Sequence, residues 1–335
     1  MKSIIFIIPY FGSFPSYFQL WLNSCKLNPT IEWLIITDIS EYYDYPQNVK
    51  IISMTFEELK IYIQAKYDFS INLPSPYKLC DFKPAYGEIF NEFISSFDYW
   101  GYCDVDLIWG NIRKFLSNDL LDKEYDKIFN WGHCTLYHNT KENNQTYKNQ
   151  VDGIAYYKQV FSSPCNFFFD EFHGMTPLYA KLNKKVCDLM YSYDAKVRSY
   201  KFRPAYSMPS TYKYLHGKDG VFKKTNDGLF FFYIDKNKVF RQEFMYVHLQ
   251  KRKMRNELLD SDVENYFIVP NRFITNVELT PKGIRKELPK IWYLYWDQIQ
   301  YEYHVKRDIL FNRQKIKFFY KGKYEKLIDF ILFRN

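Results

Sequence analysis

The segment Tyr99-Trp100-Gly101-Tyr102-Cys103-Asp104-Val105-Asp106 is an aromatic, strand-like run that ends in two aspartates, with Leu107-Ile108-Trp109-Gly110 directly behind it. Alternate residues of an extended segment share a face, so Asp104 and Asp106 point the same way. Carboxylates are costly to bury without a partner. Two of them beside so much apolar surface ask for a cation. This chemistry points to an enzyme acting on a metal-bound, anionic substrate such as a nucleotide diphosphate.

Moving outward, residues 4–8 form an apolar strand that runs into the loop signal Pro9-Tyr10-Phe11-Gly12. Helical spacing of Phe18, Trp21, Leu22 and Cys25 predicts a helix over 17–27, ending before Asn28-Pro29. Residues 33–36 are a second strand ending in Thr37-Asp38, and 49–53 a third. Thr55 with Glu58 is a capping box that opens a helix to about residue 66. This βαββα order predicts an α/β fold whose mixed, mainly parallel sheet is flanked by helices. Further on, the period of Tyr86, Ile89, Phe90 and Phe93 predicts one helix, and 111–116 another. Residues 127–130 are a strand that 132–137 continues. Residues 141–148 are a polar, mobile loop, and 221–249 are β-structure with Asn226-Asp227-Gly228 as a turn.

With 335 residues and 47% hydrophobic content, the chain can build a sizeable core. A mean hydropathy of −0.42 argues against an integral membrane protein, and no run reaches the roughly 18 apolar residues of a spanning helix. The first apolar run is shorter than a signal-peptide core and lacks a cleavage site. Cys25, Cys80, Cys103, Cys134, Cys165 and Cys187 form no CxxC pair, which fits reduced thiols and a cytoplasmic setting. The net charge of +8 is concentrated at the end, where residues 281–335 hold 13 Lys and Arg against 6 Asp and Glu. The remainder is near neutral, which disfavours nucleic acid as a partner. Aromatic content of 21% fits either AT-rich codon usage or sugar stacking, and a non-catalytic carbohydrate-binding protein is the alternative function class.

The chain resembles the GT-A class of nucleotide-sugar glycosyltransferases, especially the bacterial enzymes of capsule and O-antigen synthesis. The resemblance is carried by residues 4–11, Leu34-Ile35-Ile36-Thr37-Asp38, Tyr77-Lys78-Leu79-Cys80-Asp81-Phe82-Lys83-Pro84, Trp100 to Asp106, and Tyr246-Val247-His248-Leu249-Gln250-Lys251-Arg252-Lys253. It implies a GT-A domain over 1–255, with a nucleotide-binding half of about 1–110 and an acceptor-binding half of about 111–255. A basic, aromatic-rich, mostly helical extension over 256–335 would follow.

The resemblance also implies site roles. Pro9, Tyr10, Phe11 and Gly12 would hold the base and ribose of a UDP-sugar donor, with Asp38 accepting hydrogen bonds from them. Asp81 and Lys83 precede a helix whose N-terminus would face the nucleotide, with Lys83 on phosphate; a solvated lysine is the other reading. Asp104, Asp106 and His248 would bind Mn2+ or Mg2+, a packed histidine being the alternative for His248. Lys251 and Lys253 would meet the diphosphate. Asp170 and Glu171 would act on the acceptor side, one of them as the base of an inverting transfer, although Asp170 also suits a helix N-cap. Trp100, Gly132 and His133 would line the sugar pocket. The acceptor would be a surface polysaccharide or lipid-linked glycan, met through the extension at the inner face of an anionic membrane.

Overall fold

The structure is a computed structural model that describes residues 1–150, 153–171, 174–196, 199–205, 210–250, 252–258 and 264–289. Its strands are β1 (Ile4–Pro9), β2 (Ile31–Thr37), β3 (Val49–Ser53), β4 (Tyr99–Cys103), β5 (Leu107–Trp109), β6 (Lys127–Trp131), β7 (Cys134–His138), β8 (Val186–Cys187), β9 (Ser192–Asp194), β10 (Gly220–Thr225), β11 (Gly228–Asp235), β12 (Lys238–Phe244), β13 (Tyr246–His248), β14 (Arg255–Asn256), β15 (Tyr266–Val269) and β16 (Arg272–Ile274). The main sheet has the order β3-β2-β1-β4-β7-β6-β8. Strands β3, β2, β1 and β4 are parallel, β7 is antiparallel to β4 and β6, and β8 is parallel to β6. The α/β class and the mainly parallel sheet expected from the sequence are therefore present.

Strand β1 is apolar throughout because both faces of it are covered. Ile5 and Ile7 join Leu34, Leu59, Ile63 and Phe90 on one side. Ile4, Phe6 and Ile8 join Phe18, Trp21, Trp33 and Trp109 on the other. A strand buried on both faces needs no polar alternation. Helix α1 (Phe18–Lys26) supplies one cover and α2 (Phe56–Gln64) the other. The capping box is formed: Glu58 Oε2 accepts the Thr55 N–H at 2.7 Å and Thr55 Oγ1 accepts the Glu58 N–H at 3.2 Å. A cap of this kind is worth about 1 kcal/mol.

A second sheet, β12-β11-β10-β15-β16-β14, packs Phe222, Phe231 and Phe244 against Tyr193 of β9. A small third sheet, β5-β13-β9, stands beside it.

Four local expectations are corrected. The single helix after Pro84 is instead a 3-10 stretch, Pro76–Ala85, followed by two short turns, Tyr86–Ile89 and Asn91–Ile94. Phe90 interrupts them, leaving helical dihedrals (φ −104°, ψ 23°) while its ring stacks on Tyr62 at 5.8 Å. Residues 132–137 do not prolong β6. The chain reverses at the two-residue turn Gly132-His133 into the antiparallel β7, and β6 carries a bulge between Ile128 and Trp131, with Phe129 at φ +70°. Residues 141–148 are not a mobile loop. They form the turns Lys141–Asn144 and Thr146–Lys148, and their polar side chains are used internally: Asn144 accepts from Trp100 Nε1 at 2.7 Å, and Asn143 donates to the Asp126 and His138 carbonyls. Finally, β15 pairs with β10, so the segment after residue 255 opens as part of the second sheet before the helix Pro281–Lys286. The basic aromatic stretch from residue 290 onward lies outside the described residues.

Candidate active site

A cleft of about 860 Å³ opens where the parallel strands end. Strands β1 and β4 run side by side and deliver Pro9-Tyr10-Phe11 and Asp104-Val105-Asp106 to the same edge. Ligands of open α/β sheets bind at such carboxyl ends. The cleft is lined by Pro9, Tyr10, Phe11, Lys83, Asp104, Asp106, Gly132, His133, Asp170, Glu171, His248 and Lys253, twelve of the seventeen residues singled out in the sequence.

The small sheet explains how His248 arrives. In β13 it pairs with Leu107 of β5, the neighbour of Asp106, and on its other side with Asp194 of β9. The ring is thus set between two aspartates. Its Nδ1 lies 2.8 Å from Asp194 Oδ1, and its Nε2 lies 3.3 Å from Asp106 Oδ1. Asp194 Oδ1 also accepts from Gln250 Nε2 at 2.8 Å. Asp104, Asp106 and His248 each offer a donor atom, and the three atoms lie within 4.8 Å of one another. Asp106 Oδ1 is buried with no hydrogen-bond partner of good geometry. His133, Asp194 and His248 meet the same spacing.

The charges follow from this packing. Burial works against a charged His248, but Asp106 and Asp194 override it and push the imidazole up to about 10. Burial also works against a charged Asp194, yet its hydrogen bond to His248 holds it down at about 2. His133 lies beside this centre, its ring 4.3 Å from that of His248 and its Nδ1 3.0 Å from Tyr246 Oη. Burial, followed by the His248 charge, pushes it down to about 3, so it is neutral.

The second pair of acids sits deeper. Asp170 is 3% exposed, and burial pushes its carboxyl up to about 8, with Lys83 countering and Glu171 adding to the shift. Glu171 is raised as well, again chiefly by burial. Lys83 links the two pairs: its Nζ lies 3.0 Å from Asp104 Oδ1 and 3.8 Å from Asp170 Oδ2, and it donates to Gly132 O at 2.6 Å. Burial opposes its charge, but Asp104 and Asp170 raise its pKa well above the usual lysine range. Asp104 is lowered: burial opposes, while Lys83 and His248 prevail. Gly132 donates its N–H to Glu171 Oε1 at 3.1 Å, and a Cβ here would stand 2.1 Å from that oxygen, so a larger residue would push the Glu171 carboxyl aside.

The remaining sequence candidates are placed elsewhere. Trp100 is fully buried, stacked on Tyr137 at 4.6 Å, and belongs to the core rather than a sugar pocket. Asp81 is fully buried in an ion pair with Lys78 and does not face the cleft. Asp38 stands exposed at the end of β2, outside the cleft lining, and Gly12 (φ +113°) turns the loop without lining it. Lys251 lies outside the described residues. Its neighbour Arg252 is buried and donates to the carbonyls of Lys196, Ser199 and Lys201, so it braces a loop. Sequence reasoning missed Asp194. Ser192-Tyr193-Asp194 has no period long enough to mark a strand, and its importance depends on pairing with β13.

Among solved structures, the chain is similar to the galactosyltransferase LgtC in complex with donor and acceptor sugar analogues (14% identity, TM-score 0.33, covering 58% of this chain and 76% of that one). It is also similar to the apo form of mouse xyloside xylosyltransferase 1 (8%, TM-score 0.31, covering 58% and 88%), and to the glycosyltransferase GlyE of Streptococcus pneumoniae (14%, TM-score 0.26, covering 56% and 45%). No curated protein sequence matches the chain. The model of a family of unknown function, DUF6625, matches residues 6–277, and the chain belongs to that family.

Proposed function

We propose that this protein is a metal-dependent GT-A glycosyltransferase that moves a sugar from a nucleotide-diphosphate donor, a UDP-sugar, to a glycan acceptor. One observation carries the reading: Asp104 and Asp106, in the loop after β4, and His248, from the distant strand β13, bring three donor atoms within 4.8 Å in a cleft at the ends of parallel strands. Two carboxylates and one imidazole suit Mn2+ or Mg2+, and Asp106 Oδ1, buried with only the 3.3 Å contact to His248 Nε2, fits a role as ligand. When bound, the ion supplies Lewis-acid neutralisation of the leaving diphosphate.

The chain's own residues supply the rest. Asp194 accepts a hydrogen bond from the His248 Nδ1–H, which orients the ring so that Nε2 faces Asp106 and would be free to hold the ion. The Pro9–Phe11 loop binds the nucleoside, and exposed Lys253 faces the diphosphate from the cleft rim. Lys83 holds Asp104 in place and keeps positive charge between the two acid pairs. Asp170, in its ionised form, takes the proton of the acceptor hydroxyl as attack occurs, which gives inversion at the anomeric carbon. The nucleotide-binding half is residues 1–110, and the acceptor-binding half begins at 111 and takes in the second sheet, including β15 and β16. A surface polysaccharide or lipid-linked acceptor at the cytoplasmic membrane face completes the proposal, and among the described residues no helix is long and apolar enough to cross a membrane.

The test is a thermal-shift titration with UDP and Mn2+, singly and together, followed by an assay of UDP-sugar turnover. Cooperative stabilisation by the pair supports the proposal. A protein that binds glycans but ignores UDP and Mn2+ is a carbohydrate-binding module instead. The anomeric proton of the product, read by NMR, decides between inversion and retention.

A further inference from the structure

The loop Phe167-Phe168-Phe169 forms part of the cleft wall just before Asp170. Phe167 and Phe169 are 5% and 1% exposed, whereas Phe168 is 45% exposed and lines the cleft. Phe168 also has φ +54°, a left-handed conformation unfavourable for a bulky side chain. Such strain persists only where the surroundings over-determine it. Asp81 does so here. Its carboxylate accepts the N–H of Phe167 at 2.9 Å and the N–H of Phe169 at 3.0 Å, one on each side of Phe168. Lys78 Nζ anchors that carboxylate at 2.7 Å, donates to Val160 O at 2.9 Å, and donates to Cys165 O. On the far side the Met175 N–H bonds Phe169 O, and Gly174 leaves the room, since a Cβ there would stand 2.2 Å from that oxygen. A buried ion pair is thus used to turn one phenylalanine out of the core.

Tyr77 lies next to that ion pair in sequence, is 55% exposed and lines the same cleft. An aromatic face binds apolar C–H surface, and adjoining carboxyl groups exchange hydrogen bonds with ring hydroxyls. That combination matches a neutral polyhydroxylated ring. We infer that Phe168 and Tyr77 form a subsite that stacks a pyranose ring of a neutral glycan acceptor, with Asp170 and Glu171 taking its hydroxyls, and that the Lys78–Asp81 pair is the positioning device that presents Phe168. The ring's role as acceptor rests on the glycosyl-transfer reading; the stacking subsite does not.

The experiment probes the full chain, saturated with UDP and Mn2+, on an array of neutral oligosaccharides built from glucose, galactose and N-acetylhexosamines. The wild type retains a subset of these glycans. Phe168→Gly and Tyr77→Ala weaken that retention about tenfold, and Phe168→Trp preserves it. Phe168→Gly also raises Tm, because glycine adopts the left-handed conformation without strain. In the double variant with Phe168→Gly, Asp81→Asn causes no further loss of glycan retention, which separates positioning from a general loss of structure. The proposal is overturned if Phe168→Gly retains glycans like the wild type, or if the wild type retains none while its UDP–Mn2+ thermal shift is intact. If the UDP–Mn2+ shift is absent but glycan retention depends on Phe168, the transferase reading fails and the subsite stands.

Discussion

One cleft holds two pairs of aspartate or glutamate side chains in opposite electrostatic settings. Asp104 and Asp106 follow β4 and are set against cationic partners, Lys83 on Asp104 and His248 on Asp106. Asp170 and Glu171 follow a buried aromatic loop, and desolvation pushes both upward, Asp170 to about 8. The carboxyl of Asp104 is therefore held below the usual carboxylate range, while that of Asp170 is pushed up to about 8. The first setting suits a cation ligand, and the second suits a proton acceptor poised near neutral pH. Environment, more than residue type, separates the two roles, with Lys83 standing between them.

The sharpest way to break the contrast is to remove the first pair. Asp104→Ala with Asp106→Ala lowers turnover of UDP-sugar on the order of 10⁴-fold and abolishes the Mn2+-dependent part of the UDP thermal shift. Asp170→Asn lowers kcat by about 10²–10⁴-fold yet leaves the UDP–Mn2+ shift in place; loss of that shift would mean that the two pairs act as one. The pH dependence carries its own sign. As a base, Asp170 works when ionised, so kcat/KM rises as pH approaches about 8. Stability runs the other way. The folded pKa of Asp170 exceeds its ordinary value of 3.8, so the protonated group stabilises the fold fully below 3.8, and that contribution is lost as pH rises through about 8. Asp170→Asn flattens this decline in a denaturation series across that window.

Smaller effects refine the cationic side. Asp194→Asn weakens Mn2+ affinity about 10–100-fold, measured by competition with a fluorescent chelator, because His248 loses the partner that orients it. In the metal-free protein His248 holds a proton up to about pH 10, so Mn2+ binding at pH 7 releases on the order of one proton, read by calorimetry in buffers of different ionisation enthalpy. Asp38→Ala, outside the cleft, leaves UDP affinity within about twofold.

The legible parts of this molecule are those where local pattern and packing agree. The solid apolar run of β1, the Thr55–Glu58 box and the strand Tyr99–Cys103 could be read directly because each is decided by neighbouring residues. The pairing of His248 with Asp104 and Asp106 was legible only through an ordered set of motifs. Asp194 was not, since it is placed by the pairing of a three-residue strand with β13, in three register matches. Asp81 and Trp100 misled for a related reason. Both look like site residues in a motif, but a lysine three positions away buries one and an asparagine from residues 141–144 claims the other. The polar run 141–148 looked solvated because its hydrogen-bond partners are distant backbone groups.

The most direct test of the account is pulsed EPR on Mn2+ bound to protein carrying 15N-labelled histidine. The account predicts modulation from a directly coordinated imidazole nitrogen that disappears in His248→Ala and persists in His133→Ala. Modulation unchanged by His248→Ala, or Mn2+ that binds without any imidazole nitrogen, would contradict it.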